Sequence, residues 1–194
     1  MDKSKAKEKI KYVDKLDAEP RSRYLSKLKY LNDFDPYDCP AKVWSLDVNK
    51  LPNVLHGDIW NYLVYGGSSY THDQFKSYKS LEAHNQFTHG WVHDLKIFCP
   101  DSTDNTVVKA KVLHSMRLNE KPLLPWVVVD SIGTVVTSHC DCMAGLGETF
   151  THVGALLFKL EFVCRIREKT TVTGVPAYWM IPSGLDKVEP CVVT

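Results

Sequence analysis

Leu124-Pro125-Trp126-Val127-Val128-Val129-Asp130-Ser131-Ile132-Gly133-Thr134-Val135-Val136-Thr137-Ser138-His139-Cys140-Asp141-Cys142 is the stretch whose reading decides the fold. Residues 124–130 and 134–138 are rich in β-branched side chains and predict two strands. Ser131-Ile132-Gly133 supplies the tight turn between them. The second strand then delivers Cys140 and Cys142 to one end of the hairpin. Upstream, Trp91, His93, Leu95 and Ile97 alternate with Val92, Asp94 and Lys96, which is the period of a half-buried strand. Residues 107–114 predict another strand. Downstream, Val153, Leu156, Leu157, Leu160 and Val163 share one face of a helix spanning residues 151–167.

The remaining chain reads as helix and loop. Ile10, Val13, Leu16, Tyr24, Leu25, Leu28 and Leu31 recur at helical spacing, with a break expected at Pro20. Pro36, Pro40, Pro52 and Gly57 mark residues 32–58 as mostly loop. A short helix is expected within residues 55–65. A second is expected from Thr71, with Gln74 completing a capping box and Gly90 as its stop. The expected class is α+β: a small antiparallel meander, a ligand-bearing turn and one packed helix, preceded by a helical region. Residues 1–58 read as a charged N-terminal extension, loosely attached over its first twenty residues. Residues 59–182 read as the α+β domain and 183–194 as a tail.

Bulk properties set limits on function. A chain of 194 residues with 44% hydrophobic content suits one globular domain with extensions. No apolar run approaches the roughly 20 residues that span a bilayer, so no membrane association is expected. The opening Met1-Asp2-Lys3-Ser4-Lys5 leads into charge, not into the apolar core of a signal peptide. The expected setting is intracellular, the nucleus included, where six cysteines read as thiols or ligands and not as disulfides. Formal net charge is +1, yet residues 1–30 hold ten Lys or Arg against five Asp or Glu. That segment reads either as a solvated face or as an electrostatic contact for nucleic acid.

The chemistry concentrates in residues 139–158. Cys140 and Cys142 form a Cys-x-Cys pair at a strand end, and His152 stands in the first turn of the following helix. A tight turn points two sulfurs at one spot, and a helix start presents an imidazole to the same spot. The positive end of the helix dipole favours thiolates there. Gly145 and Gly147 permit a sharp connecting loop.

This pattern resembles the SWIM-type zinc finger, whose ligands run Cys-x-Cys, a variable loop, then Cys-x-His. Cys140, Cys142 and His152 match, and Phe150 stands in place of the remaining Cys. The likeness extends to Arg23-Tyr24-Leu25, Asp35-Pro36-Tyr37, Tyr78-Lys79-Ser80-Leu81-Glu82-Ala83, His114-Ser115-Met116-Arg117-Leu118-Asn119, Pro125-Trp126 and Val175-Pro176-Ala177-Tyr178-Trp179. These flanks are similar to a subgroup often linked to mobile elements and to a viral-recombinase-type exonuclease domain, of which this chain carries no counterpart. The resemblance implies a zinc-binding, non-enzymatic module for DNA or protein interaction. It implies, as the alternative, an accessory part of a mobile-element nuclease system whose partner is the nuclease domain.

The fourth zinc position stays open between three readings: His139 replaces the lost ligand, water fills it, or no metal binds and Phe150 packs against Leu146, Val153 and Leu157. Three ligands plus water, with Glu148 nearby, is also the geometry of hydrolytic zinc. Ligand loss explains the same residues more simply. Cys164, twelve residues beyond His152 on one helix, reads as core. Arg117 and Lys121 lie on a connection between strands and are candidate phosphate contacts. His84, His89 and His93 read as hydrogen-bonded or solvated histidines. Trp60, Trp91, Trp126 and Trp179 read as core before base-stacking platforms. Gly66-Gly67-Ser68 lacks the Lys of a phosphate-binding loop, and no nucleophile elbow is present.

Overall fold

The computed structural model describes residues 10–66, 81–101, 103–113, 120–142 and 151–173. Its centre is a four-stranded antiparallel sheet of order β1-β2-β3-β4. The strands are β1 (Val92–Phe98), β2 (Thr106–Val112), β3 (Trp126–Val129) and β4 (Val135–His139). All four expected strands form, in chain order, as a meander. The β3–β4 turn is built as its sequence suggests. Asp130 Oδ1 accepts the Ile132 and Thr134 amides at 3.1 and 2.8 Å, and Gly133 takes φ +99°. A Cβ on Gly133 would collide with the Asn53 carbonyl, so glycine is required twice over.

The sheet is covered on both faces, and β3 explains why. Trp126, Val127, Val128 and Val129 are all fully buried. Side chains alternate across a strand. Val127 and Val129 therefore join the main core with Val108, Ala110, Val112, Leu156, Leu157 and Leu160. Trp126 and Val128 join a second core with Val107, Tyr24, Leu28 and Leu31.

Helix α4 (Thr151–Thr173) dominates the first layer. It is joined by α2 (His56–Trp60, continued by a π turn over Asn61–Tyr65) and α3 (Glu82–Thr88). The start of α2 is fixed where Asp58 Oδ2 accepts the Leu55 amide at 2.9 Å. Helix α3 stops at Gly90, whose φ of +73° lets the amides of Gly90 and Trp91 bond back to Phe87 and Gln86. The helix expected to run from Thr71 to Gly90 does not include Leu81, which is extended, so α3 begins only at Glu82; the expected cap at Thr71 lies outside the described residues. Near its far end α4 is pinned by Arg167, which donates to the carbonyls of Val48 and Leu51 at 3.1 and 2.6 Å.

The second layer is residues 12–44, and here structure and sequence reading differ. Residues 12–44, expected within an extension of which only the first twenty residues are loosely attached, supply one wall of the protein, Tyr12, Val13 and Leu16 included. Helix α1 (Ala18–Leu28) turns Tyr24 and Leu28 onto the sheet, while Tyr12, Val13, Leu16, Phe34, Tyr37 and Trp44 pack around them. Pro20 does not break this helix. It stands in the first turn, where its missing N–H has no intrahelical acceptor to lose. Hydrogen bonds tie the layer down. Tyr24 Oη donates to Asp35 Oδ1 at 2.6 Å, Tyr37 Oη to the Leu124 carbonyl at 2.9 Å, and Lys109 Nζ to the Pro36 carbonyl at 3.0 Å. Lys109 Nζ also lies 3.8 Å from the centre of the Trp44 ring, a cation–π contact.

A buried tyrosine with a bonded hydroxyl makes this wall testable. Tyr24→Ala should cost about 3–5 kcal/mol, as large-to-small aromatic changes do. Tyr24→Phe should cost about 1 kcal/mol, the worth of one hydrogen bond. Urea denaturation followed by Trp fluorescence measures both. An unchanged midpoint for Tyr24→Ala would mean that residues 12–44 are an appendage after all.

Candidate metal centre

Strand β4 ends at His139, and the chain then turns through Cys140, Asp141 and Cys142. Helix α4 begins at Thr151 and places His152 in its first turn. The Cys140 Sγ, the Cys142 Sγ and a His152 ring nitrogen all lie within 4.8 Å of one another. Cys140 Sγ is 3.8 Å from His152 Nδ1. Both cysteines are buried and His152 is half-buried. These residues are the one such cluster of metal-binding side chains among the described residues. The structure thus brings together the three residues that the spacing picked out. Phe150 lies outside the described residues, as do Gly145, Gly147 and Glu148.

The Cys140 thiol, crowded against Cys142, resists ionisation without a cation. It is pushed up from its ordinary range, first by its hydrogen bond with Cys142 and then by burial. A divalent ion bound here would reverse that balance and hold both sulfurs as thiolates. Two thiolates and one imidazole suit zinc and other soft or borderline ions.

His139 serves a different layer. Neighbouring residues of a strand point to opposite faces. Cys140 faces the main core, so His139 faces the second. Its ring lies 4.7 to 6.0 Å, centre to centre, from Tyr12, Tyr24, Tyr37 and Trp126. Tyr12 Oη is 2.8 Å from His139 Nε2. Burial, with a smaller push from Lys27, drives the imidazole down to about 3. The residue weighed as one possible substitute ligand is therefore a neutral hydrogen-bonding histidine inside an aromatic cluster. Moving it to the cysteines would require crossing the sheet.

The other candidates separate. Arg117 lies outside the described residues, while Lys121 is exposed on the connection leading into β3. His89 Nδ1 is 2.7 Å from the Asn85 carbonyl at the end of α3, and His93 is exposed on β1, so they form no common site. Cys164 is buried and donates to the Pro52 carbonyl at 3.3 Å, as a core thiol does. Trp126 is core, Trp60 and Trp91 are partly buried, and none of them is an exposed stacking platform. Sequence reading passed over Asp141. Its Oδ1 accepts the Leu124 amide at 2.7 Å and lies 3.9 Å from Cys140 Sγ. Its position between the two cysteines was the available signal.

No protein-family model, curated protein or solved structure matches this chain. The class that fold and site define is therefore a coarse one. It is an α+β protein with a four-stranded antiparallel sheet and a Cys2His cluster able to bind a metal ion. Among the described residues no helix is long and apolar enough to cross a membrane.

The neutral state of His139 gives a pH prediction. In the unfolded chain the imidazole protonates below its ordinary value of 6.5, while in the fold it does so only near 3. Between those values the unfolded state binds the extra proton, so stability falls as pH falls. The contribution is about 1.4 kcal/mol per pH unit in that window. In chelator and reductant, His139→Gln should flatten the stability–pH slope between about pH 4 and 5.5 by close to one proton. Parallel slopes for the two proteins would exclude this role.

Proposed function

We propose that the protein is a non-enzymatic SWIM-type module in which Cys140, Cys142 and His152 hold a zinc ion as a staple. The observation that carries this reading is convergence. Donors from a strand end and from the first turn of α4, twelve residues apart in sequence at their extremes, meet within 4.8 Å. The chemistry of the donor set supports zinc, which takes thiolate and imidazole ligands without a redox step. Ligation would join the β3–β4 hairpin to α4. A complete structural site in a small finger contributes on the order of 10–16 kcal/mol. With Phe150 where the SWIM pattern has its remaining cysteine, this site works from fewer protein ligands and holds its ion less tightly.

The partner best supported is nucleic acid, contacted through phosphates. Residues 1–30 carry the excess of positive charge. Part of it is answered locally, because Arg21 pairs with Asp14 at 3.3 Å and Arg23 with Glu19 at 3.8 Å. Lys11, Lys15 and Lys29 stand exposed on the same layer. Such contacts bind weakly, fall steeply with salt and do not discriminate sequence.

Metal content of protein purified under reducing conditions tests the first part, with about one zinc per chain expected. Cys140→Ser, Cys142→Ser and His152→Ala should each lower zinc affinity by more than about 100-fold, the upper range for residues that merely support ligands. Phe150→Cys should raise retention through dialysis and add a melting increment that chelator abolishes. A wild-type chain and a Phe150→Cys chain both free of metal would sink the zinc reading. For the partner, neutralising Lys11, Lys15 and Lys29 should weaken DNA binding of every sequence alike. No binding at low salt would point to a protein partner instead.

A further inference from the structure

The β3–β4 ladder pairs Trp126 with His139, Val127 with Ser138 and Val128 with Thr137. Continued one step, it would set Pro125 against Cys140. Continued two steps, it would set Leu124 against Asp141. Pro125 has no amide to donate, so the backbone ladder ends there. At the next position a side chain does the work of a backbone carbonyl: Asp141 Oδ1 accepts the Leu124 amide at 2.7 Å. The backbone of residues 140–142 is thereby released from strand geometry while remaining attached to the sheet.

That release matters for the sulfurs. In a regular strand, residues i and i+2 share a face but stand roughly 6.6 Å apart. Ligands of one ion must come closer, and here the three donor atoms lie within 4.8 Å. Residues 140–142 lie outside the strand, and there the two sulfurs converge with His152. The anchor of Asp141 is held from both sides. Leu123 exchanges two backbone bonds of 2.9 Å with Val112, and the Leu124 carbonyl accepts Tyr37 Oη at 2.9 Å.

We propose that Asp141 is the positioning residue of the metal centre, using its carboxylate oxygen in place of a backbone carbonyl to bend Cys140 and Cys142 toward His152. This rests on the zinc reading above and adds a residue to it. Asp141 does not ligate the ion. It acts through the Leu124 amide, so the acceptor oxygen and its reach matter more than the charge.

Zinc affinity and cobalt(II) spectra of the full chain test the proposal, under reducing conditions. Asp141→Ala should lower zinc affinity about 10–100-fold and shift the cobalt d–d bands, because the two sulfurs no longer converge as before. Asp141→Asn retains an acceptor oxygen at the same reach and should recover most of the affinity. Asp141→Glu retains the charge but lengthens the arm, and should be weaker than Asn. Those last two variants carry the test if the alanine variant does not fold. Wild-type affinity and spectrum in Asp141→Ala, or Glu outperforming Asn, would overturn the positioning role while leaving the zinc site standing. A wild-type chain that takes up neither zinc nor cobalt would overturn both.

Discussion

Val127 and Val129 press against the helical layer while Trp126 and Val128 press against the N-terminal layer, so β3 leaves no face to water. Every other large feature answers that demand. Helix α4 with α2 and α3 must cover one side, and residues 12–44 must cover the other. A fully buried Trp or Val is worth a few kcal/mol, about 1.5–3 for an aliphatic side chain. Exposing one whole side of the sheet would therefore exceed the net stability of an ordinary domain, about 5–15 kcal/mol.

The two layers meet at residues 139–142, and there the polar groups take over. His139 enters the aromatic layer and bonds Tyr12. Cys140 and Cys142 turn to α4. Asp141 reaches sideways to Leu124, whose carbonyl is already bonded to Tyr37. Four consecutive residues thus hold three elements, and the buried polar atoms among them find partners within the protein. The same arrangement explains why Cys140 is reluctant to ionise: it bonds Cys142 and sits at the rim of an apolar core.

Much of this was legible in the chain. A period of two over residues 91–97 and the valine runs flanking Gly133 gave the strands, and a single apolar face gave α4. Gly90 marked its helix end because only a glycine readily takes positive φ there. Spacing alone marked Cys140, Cys142 and His152 only weakly, and it was the likeness to the SWIM pattern that singled them out. What was not legible depended on long-range packing. Tyr24, Leu28 and Leu31 have helical spacing, which says that a face is buried but not against what. Pro20 reads as a break unless the helix is known to begin just before it. His139 looks like a ligand because sequence gives its proximity to Cys140 and hides the strand alternation that parts them. The unbroken run Trp126-Val127-Val128-Val129 was the one local hint that both faces are covered.

Alternation in β4, interrupted once where the ladder leaves Val136 unpaired, also bears on how this chain can vary in length. A one-residue insertion or deletion shifts every later side chain to the opposite face. In the regular ladder from Thr137 to His139 such a change would drive a thiol into the tyrosine cluster and a histidine toward α4. Length changes in descendants or in engineered insertions must therefore fall elsewhere. The connection from Cys99 to Asn105, where the chain leaves β1 and the ladder imposes no register, offers one such place. The hairpin that carries the cysteines behaves as a fixed reading frame in three dimensions.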